Sequence, residues 1–319
     1  MGEGARDLAE LCREEFARPA PPAAALLAQE IRGRHGAATA AVVFYGSCLR
    51  RATSEGVLDF YALVDSYRAA YGSRLLALAN AALPPNVFYL EAGSEDERLR
   101  AKYAVISLAD FARAAAGRGL RSGIWARFCQ PALAVHLRDA GARDALVAAA
   151  VEAHLTAVRR ALPLLPEGER VAFAELWRRI FRETYAGEMR PEPDRAIESL
   201  HAADSLRYER AAASALRELA ERHPGELRVE IEAGGFRSWQ RARGRARLLA
   251  RVRRPAAKAA YAVQLLKTAF TFGDWLPYAL WKLERHTGAR IEPSERQRRH
   301  PLLFGWPLLW RVLARRELR

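Results

Sequence analysis

The chain has 319 residues, half of them apolar, and a formal net charge of +14, which is enough to bury a sizeable core and form about two or three domains. No run reaches the roughly 18 uninterrupted apolar residues of a spanning helix, and the opening residues lack a basic-then-apolar secretory pattern. Glu3, Asp7, Glu10, Glu14 and Glu15 also argue against an acid-poor transit peptide, so a bacterial-type cytoplasmic protein is expected.

In chain order, the apolar runs Ala37–Tyr45 and Val57–Val64 read as two buried strands, the first closed by Gly46-Ser47 and the second by Asp65-Ser66. Tyr67–Leu83 has helical spacing and stops at Pro84-Pro85. Asn86–Glu91 and Lys102–Ile106 read as further strands, and Ser107 with Asp110 three residues on predicts a capped helix over Leu108–Ala116. Residues 1–115 are therefore expected to form a small α+β domain with a mixed sheet. From Arg138 to about Arg222 the pattern turns helical, broken at Pro163, Pro166, Pro191 and Pro193. Arg228–Glu232, ended by Gly234-Gly235, reads as a strand or hairpin arm completing a mainly α unit over 116–236.

The cysteines, Cys12, Cys48 and Cys129, are far apart and read as reduced packing residues. The histidines show no zinc-ligand spacing, so any metal is expected on carboxylates. Chemistry is suggested by Gly46-Ser47 directly after one apolar strand and by Asp59 inside the next. Glycine admits close approach of a triphosphate, serine adds a hydroxyl donor, and a carboxylate on the neighbouring strand can hold Mg²⁺. Asp59 is the more telling residue, because a carboxylate between Leu58 and Phe60 is costly unless paired or metal-bound. A turn-forming or capping role is the ordinary reading of Asp65. Lys102 stands out because the chain has only four lysines, Lys102, Lys258, Lys267 and Lys282. A point charge for phosphate and a snorkelling strand-edge lysine are both readings of it.

These residues resemble the mitochondrial translocator-assembly-and-maintenance type of CDP-diacylglycerol synthase, within the DNA polymerase β nucleotidyltransferase superfamily. Tyr45-Gly46-Ser47 and Leu58-Asp59-Phe60, continuing to Val64-Asp65, look like its two catalytic-strand motifs. Lys102–Ser107 is similar to its most recognisable strand, with Ala104 where glycine is usual; Arg127, Phe128 and Pro131 resemble a downstream element, and Thr184–Arg190 a motif of its second domain. The resemblance implies a nucleotidyltransferase domain, a winged-helix-like second domain and a membrane-associating C-terminal segment. It also implies CTP and phosphatidate as substrates, with Mg²⁺. On this reading Asp59 and Lys102 are catalytic, while Tyr45, Gly46, Ser47, Lys102, Arg127 and Arg190 bind nucleotide. Arg127 and Arg190 are equally readable as phosphate ligands or as ion-pair partners. Asp59 and Asp65 are the expected metal ligands, with Glu91 and Asp96 as other candidates for the second carboxylate. The chain departs from an Asp-x-Asp pair, having Asp59-Phe60-Tyr61, and Cys48 replaces a usually small residue.

The charge is local. Residues 237–319 hold 20 basic and 5 acidic side chains, whereas the remaining body is close to neutral. Such a segment is expected to meet an anionic surface. Leu302–Leu313 is too short to span a bilayer but long enough to embed in one leaflet, with Trp306, Leu309, Trp310, Arg311 and Arg315 as the expected membrane contacts. Lys267–Gly288 looks like the family's amphipathic C-terminal region. In the last stretch, Leu302–Leu313, aliphatic Leu and Val outnumber aromatic residues, which favours lipid over nucleic acid as partner. The expectation is a phosphatidate cytidylyltransferase peripheral on the inner face of the plasma membrane. An RNA or small-molecule nucleotidyltransferase and an inactive membrane-bound scaffold are the competing readings.

Overall fold

A computed structural model of the chain describes residues 2–93, 98–119, 122–187 and 194–271. Two helices, α1 (Glu3–Phe16) and α2 (Pro22–His35), precede strand β1 (Thr39–Tyr45). A four-residue helix α3 (Ser47–Arg50) follows, then β2 (Val57–Val64), α4 (Tyr67–Ala70), α5 (Arg74–Ala82), β3 (Asn86–Ala92) and β4 (Leu99–Ser107). Helices α6 (Leu108–Ala115) and α7 (Gly123–Phe128) lead to β5 (Ala132–Leu137). Then come α8 (Ala140–Ala161), β6 (Val171–Ala172), α9 (Phe173–Gly187), α10 (Asp194–Ala202), α11 (Ser205–Arg222), the hairpin β7 (Leu227–Glu232) and β8 (Gly235–Gln240), and α12 (Arg243–Thr271). The fold is α+β.

Five strands form one mixed sheet in the order β3-β4-β2-β1-β5, with β2 and β4 parallel and the other neighbours antiparallel. Strands β1 and β2, at its centre, read as nearly continuous apolar runs because both faces are covered. Val42, Phe44, Leu58, Phe60, Ala62 and Val64 pack with Leu27 and Ile31 of α2 on one side. Ala41, Val43, Tyr61, Leu63, Ala104 and Ile106 join the core built by α6, α7 and α8 on the other. The two-residue alternation thus sends Asp59 to the same face as Tyr61 and Leu63.

The expected capped helix after Ser107 is present, its hydroxyl accepting from the Asp110 N–H at 3.1 Å. The single helix expected over Tyr67–Leu83 is instead two, because Ser73 caps α5 by accepting from Leu76 N–H at 3.4 Å after the break at Tyr71-Gly72. The sheet also continues past residue 115, where a domain boundary was expected. Strand β5 pairs with β1, and α1 packs its Leu8, Leu11, Cys12 and Phe16 stripe into the same core as Ala211, Ala215 and Leu219 of α11.

A second, three-stranded antiparallel sheet, in the order β6-β8-β7, caps the helices α9 to α11. Gly234, at φ +69, turns the hairpin arm expected from Arg228–Glu232. Among the described residues, no helix is long and apolar enough to cross a membrane.

One buried polar cluster joins α1, α7, α8 and α11. Arg207 donates from Nε to Glu15 Oε1 at 2.5 Å, from Nη2 to Glu15 Oε2 at 3.2 Å, and from Nη1 to the Cys129 carbonyl at 2.8 Å. Its Nη2 also lies 3.2 Å from Nε2 of His154, whose Nδ1 lies 2.8 Å from the Ala150 carbonyl. That arrangement requires a neutral ring, with the proton on Nδ1 and the lone pair of Nε2 toward Arg207.

Burial, with the Arg207 charge second, pushes the His154 pKa from 6.5 down to about 3. Between those values the unfolded chain binds a proton that the folded chain refuses. The contribution is therefore fully present above the unfolded value and is lost as pH falls toward the folded one. Each unit of acidification through that window is expected to cost about 1.4 kcal/mol through this residue. Urea unfolding between about pH 7.5 and 5 checks this, because His154→Gln should flatten the slope; equal slopes would remove His154 as its source.

Candidate active site

Strand β1 ends at Tyr45, and Gly46 turns the chain with φ +94 and ψ −161 before Ser47 opens α3. In the sheet Tyr45 is opposite Asp59, and Asp59 is opposite Lys102. Three neighbouring strands thus deliver an aromatic ring, a carboxylate and an ammonium to one level. A Cβ placed on Gly46 would lie 3.1 Å from Asp59 Oδ2, so the carboxylate stands against the glycine turn. Both the positive φ and that approach favour glycine. Asp59 remains 29 % exposed and Lys102 45 %, with Oδ1 and Nζ 3.9 Å apart. A loose, solvated pair of this kind stabilises little and can rearrange around a ligand.

Behind Lys102 lies a cavity of about 320 Å³, bounded by the sheet, Pro84-Pro85, residues 113–119 and 122–127, and α12. Lys102, Arg113, Arg118 and Arg127 supply its positive charge, and Val87, Ile106, Ile124 and Tyr261 are among its apolar lining. Its floor is an aromatic cluster: the Tyr45 and Tyr61 rings are 5.2 Å apart, and Phe128 is 5.3 Å from Tyr61. Arg127 is steered by Nη1 donating to the Gly123 carbonyl at 2.7 Å. Asp110 also lines the cavity but is engaged by the Tyr67 hydroxyl, Ser107 and Arg113. Asp59 stands beside the cavity, next to Lys102, and is not part of its lining.

The structure therefore brings Tyr45, Gly46, Ser47, Asp59 and Lys102 together, with Lys102 and Arg127 both lining the cavity. Asp65 does not join them and is corrected as a metal ligand. It follows the far end of β2, about 20 Å along the chain from Asp59 at the strand rise. There it pairs with Arg138, whose Nη2 donates to Oδ1 at 3.1 Å. Glu91 is likewise committed, accepting from the Tyr89 hydroxyl at 2.7 Å and pairing with Arg100 at 3.5 Å. Asp96, Arg190 and the expected membrane contacts Trp306, Leu309, Trp310, Arg311 and Arg315 lie outside the described residues.

The sequence pattern did not single out Arg51, Arg113 or Arg118. Arg51 reaches back one turn, Nε donating to the Ser47 carbonyl at 3.3 Å and Nη2 lying 3.5 Å from the Ser47 hydroxyl. The i, i+4 spacing from Ser47 was the signal available for it. Among the described residues, no group of three or more His, Cys, Asp or Glu side chains could hold a metal ion. A site here would rest on Asp59 with oxygens from substrate and water. No family model matches the sequence, and no curated protein matches it.

Proposed function

We propose that the chain is a Mg²⁺-dependent phosphatidate cytidylyltransferase, forming CDP-diacylglycerol and pyrophosphate from CTP and phosphatidate at an anionic membrane surface. The observation that carries this reading is the Asp59 carboxylate set against the Gly46-Ser47 turn with Lys102 beside it. The resemblance of these strands to the nucleotidyltransferase motifs supports the same reading. So does the arrangement of α9 to α11 with β6, β7 and β8, which suits a winged-helix-like second domain.

Mg²⁺ suits this donor set, because it commonly binds one or two carboxylates plus substrate phosphates and keeps several waters. Asp59 would hold it, and the ion would neutralise phosphate charge. The chain's own groups do the rest. Gly46 admits the triphosphate close to the backbone, and the Ser47 hydroxyl donates to it. Lys102, Arg127 and Arg51 offset the charge that accumulates on the phosphates. The phosphate oxygen of phosphatidate attacks the α-phosphorus of CTP in line, the new P–O bond forms, and the bond to pyrophosphate breaks. A phosphate monoester has a second pKa of roughly 6 and is largely dianionic at neutral pH, so no base is needed to generate the nucleophile. The apolar side of the cavity suits the glycerol-proximal part of a lipid.

An RNA acceptor is disfavoured by the helix that a winged-helix fold would offer to nucleic acid. Arg210 of α11 pairs with Glu14 at 3.0 Å and with Glu10 at 3.5 Å, and Arg217 with Asp7 at 3.9 Å, so α1 neutralises that face. The expected contacts at Trp306, Leu309, Trp310, Arg311 and Arg315 would hold the protein peripherally on the bilayer.

Purified protein incubated with α-labelled CTP, Mg²⁺ and phosphatidate vesicles is expected to yield labelled CDP-lipid with an equivalent of pyrophosphate. Label appearing in RNA would replace the acceptor. Absence of transfer to any acceptor, small molecules included, would leave the scaffold reading in its place.

A further inference from the structure

Helix α12 has two unlike faces. Its inner face is fastened to the body: Arg247 Nε donates to the Pro163 carbonyl at 2.7 Å, Gln264 Nε2 to the Pro85 carbonyl at 2.7 Å, and Lys267 Nζ to the same carbonyl at 3.0 Å. That face also supplies the cavity wall through Ala257, Tyr261, Gln264 and Thr268. The outer face carries large apolar side chains in water. Leu248 is 62 % exposed, Leu249 50 %, Val252 62 % and Val263 54 %. At 100° per residue these four positions fall within an arc of about 100°, centred opposite Ala257, Tyr261 and Thr268, with Lys267 at the edge of that arc reaching round to the Pro85 carbonyl.

Charge flanks the stripe. Arg251 and Lys258 fall on one side of it and Arg253 on the other, and all three are exposed. The whole helix holds eight basic residues and no acidic one. An aliphatic stripe between basic borders on a helix without acids is the pattern of a helix lying in a bilayer interface. Nucleic acid would call for aromatic stacking, and the stripe has no aromatic ring.

We propose that the outer face of α12 docks on an anionic lipid bilayer, laying the cavity wall formed by its inner face beside the membrane surface. The proposal deepens the membrane-surface part of the reading above by assigning the contact to Leu248, Leu249 and Val252 with Arg251, Arg253 and Lys258. It places a docking surface within the body, in addition to the segment after Pro301. A lipid headgroup leaving the bilayer beside α12 then has Lys102, Arg113 and Arg118, which line the cavity behind the helix, as its nearest cations.

The test places a probe on the stripe of the full chain. The native cysteines Cys12, Cys48 and Cys129 are buried, so an environment-sensitive thiol dye reports from Val252→Cys. Vesicles of phosphatidylcholine with about 30 % phosphatidylglycerol are expected to shift its emission to the blue, pure phosphatidylcholine far less, and added salt should reverse the shift. In an unlabelled chain, Leu248→Ser with Leu249→Ser is expected to lower vesicle partitioning by at least about tenfold at unchanged melting temperature. A silent dye on a chain that still floats with vesicles would overturn the proposal and leave residues beyond Thr271 as the anchor. A shift produced by single-stranded RNA, or by raising protein concentration without lipid, overturns it in favour of those occupants. None of these readouts uses CTP, so a failed transferase assay and a failed docking face are told apart.

Discussion

Asp59→Asn is expected to lower cytidylyl transfer by at least about 100-fold while leaving the melting temperature within about a degree of the parent. The magnitude follows from comparison: changing a partner one shell out from a metal commonly costs 10- to 100-fold in affinity or activity, and a direct ligand should lose no less. Asparagine preserves the shape of the side chain and removes only its charge. The fold should tolerate the change because Asp59 is partly exposed and its contact with Lys102 is loose, at 3.9 Å. Initial rates over a range of Mg²⁺ and CTP concentrations, beside a thermal melt, separate the two effects. Parent-like turnover in this variant would remove Asp59 from the chemistry, and with it the assignment of the Gly46-Ser47 turn. Loss of activity accompanied by loss of the melt would instead make Asp59 a structural residue.

The prominence of Asp59 in the sequence has a physical origin, as does the obscurity of its neighbours. A charge inside an apolar strand contrasts with its surroundings, and Lys102 contrasts with a chain that otherwise spends its positive charge on arginine. Arg51, Arg113 and Arg118 have no such contrast, since arginine is everywhere in this chain. Asp65 was misleading for a geometric reason: six residues is a short interval in sequence but about 20 Å along a strand. The central strands were legible because both faces of the sheet are buried, which makes β1 and β2 continuous apolar runs. Helix α1 carries its Leu8, Leu11, Cys12 and Phe16 stripe among acidic residues, Asp7, Glu10 and Glu14, that occupy its other faces. Strand β5 is six residues long with His136 near its end, too short and too mixed to separate from the helices on either side.

Least legible of all was the pairing of Glu15 with Arg207, separated by 192 positions and less than 5 % exposed on both sides. Glu15→Leu alone is expected to destabilise the protein by about 3–5 kcal/mol, because it leaves the Arg207 guanidinium buried without its counter-charge. Arg207→Met should cost a similar amount by stranding the carboxylate and the Cys129 carbonyl. The double variant Glu15→Leu with Arg207→Met removes both charges and should recover much of the loss, since apolar replacement of a whole buried pair is often near neutral. Urea unfolding of the four proteins closes a double-mutant cycle, with a coupling of at least about 2 kcal/mol expected. Independent, additive losses would mean that the two groups are solvated separately. A coupled result has a consequence for the site as well. Arg207 holds the residue that immediately follows α7, and α7 carries Arg127 to the cavity. The single variants should therefore raise the KM for CTP even below their melting temperatures, through displacement of Arg127, while the double variant should restore it only as far as Cys129 finds another donor.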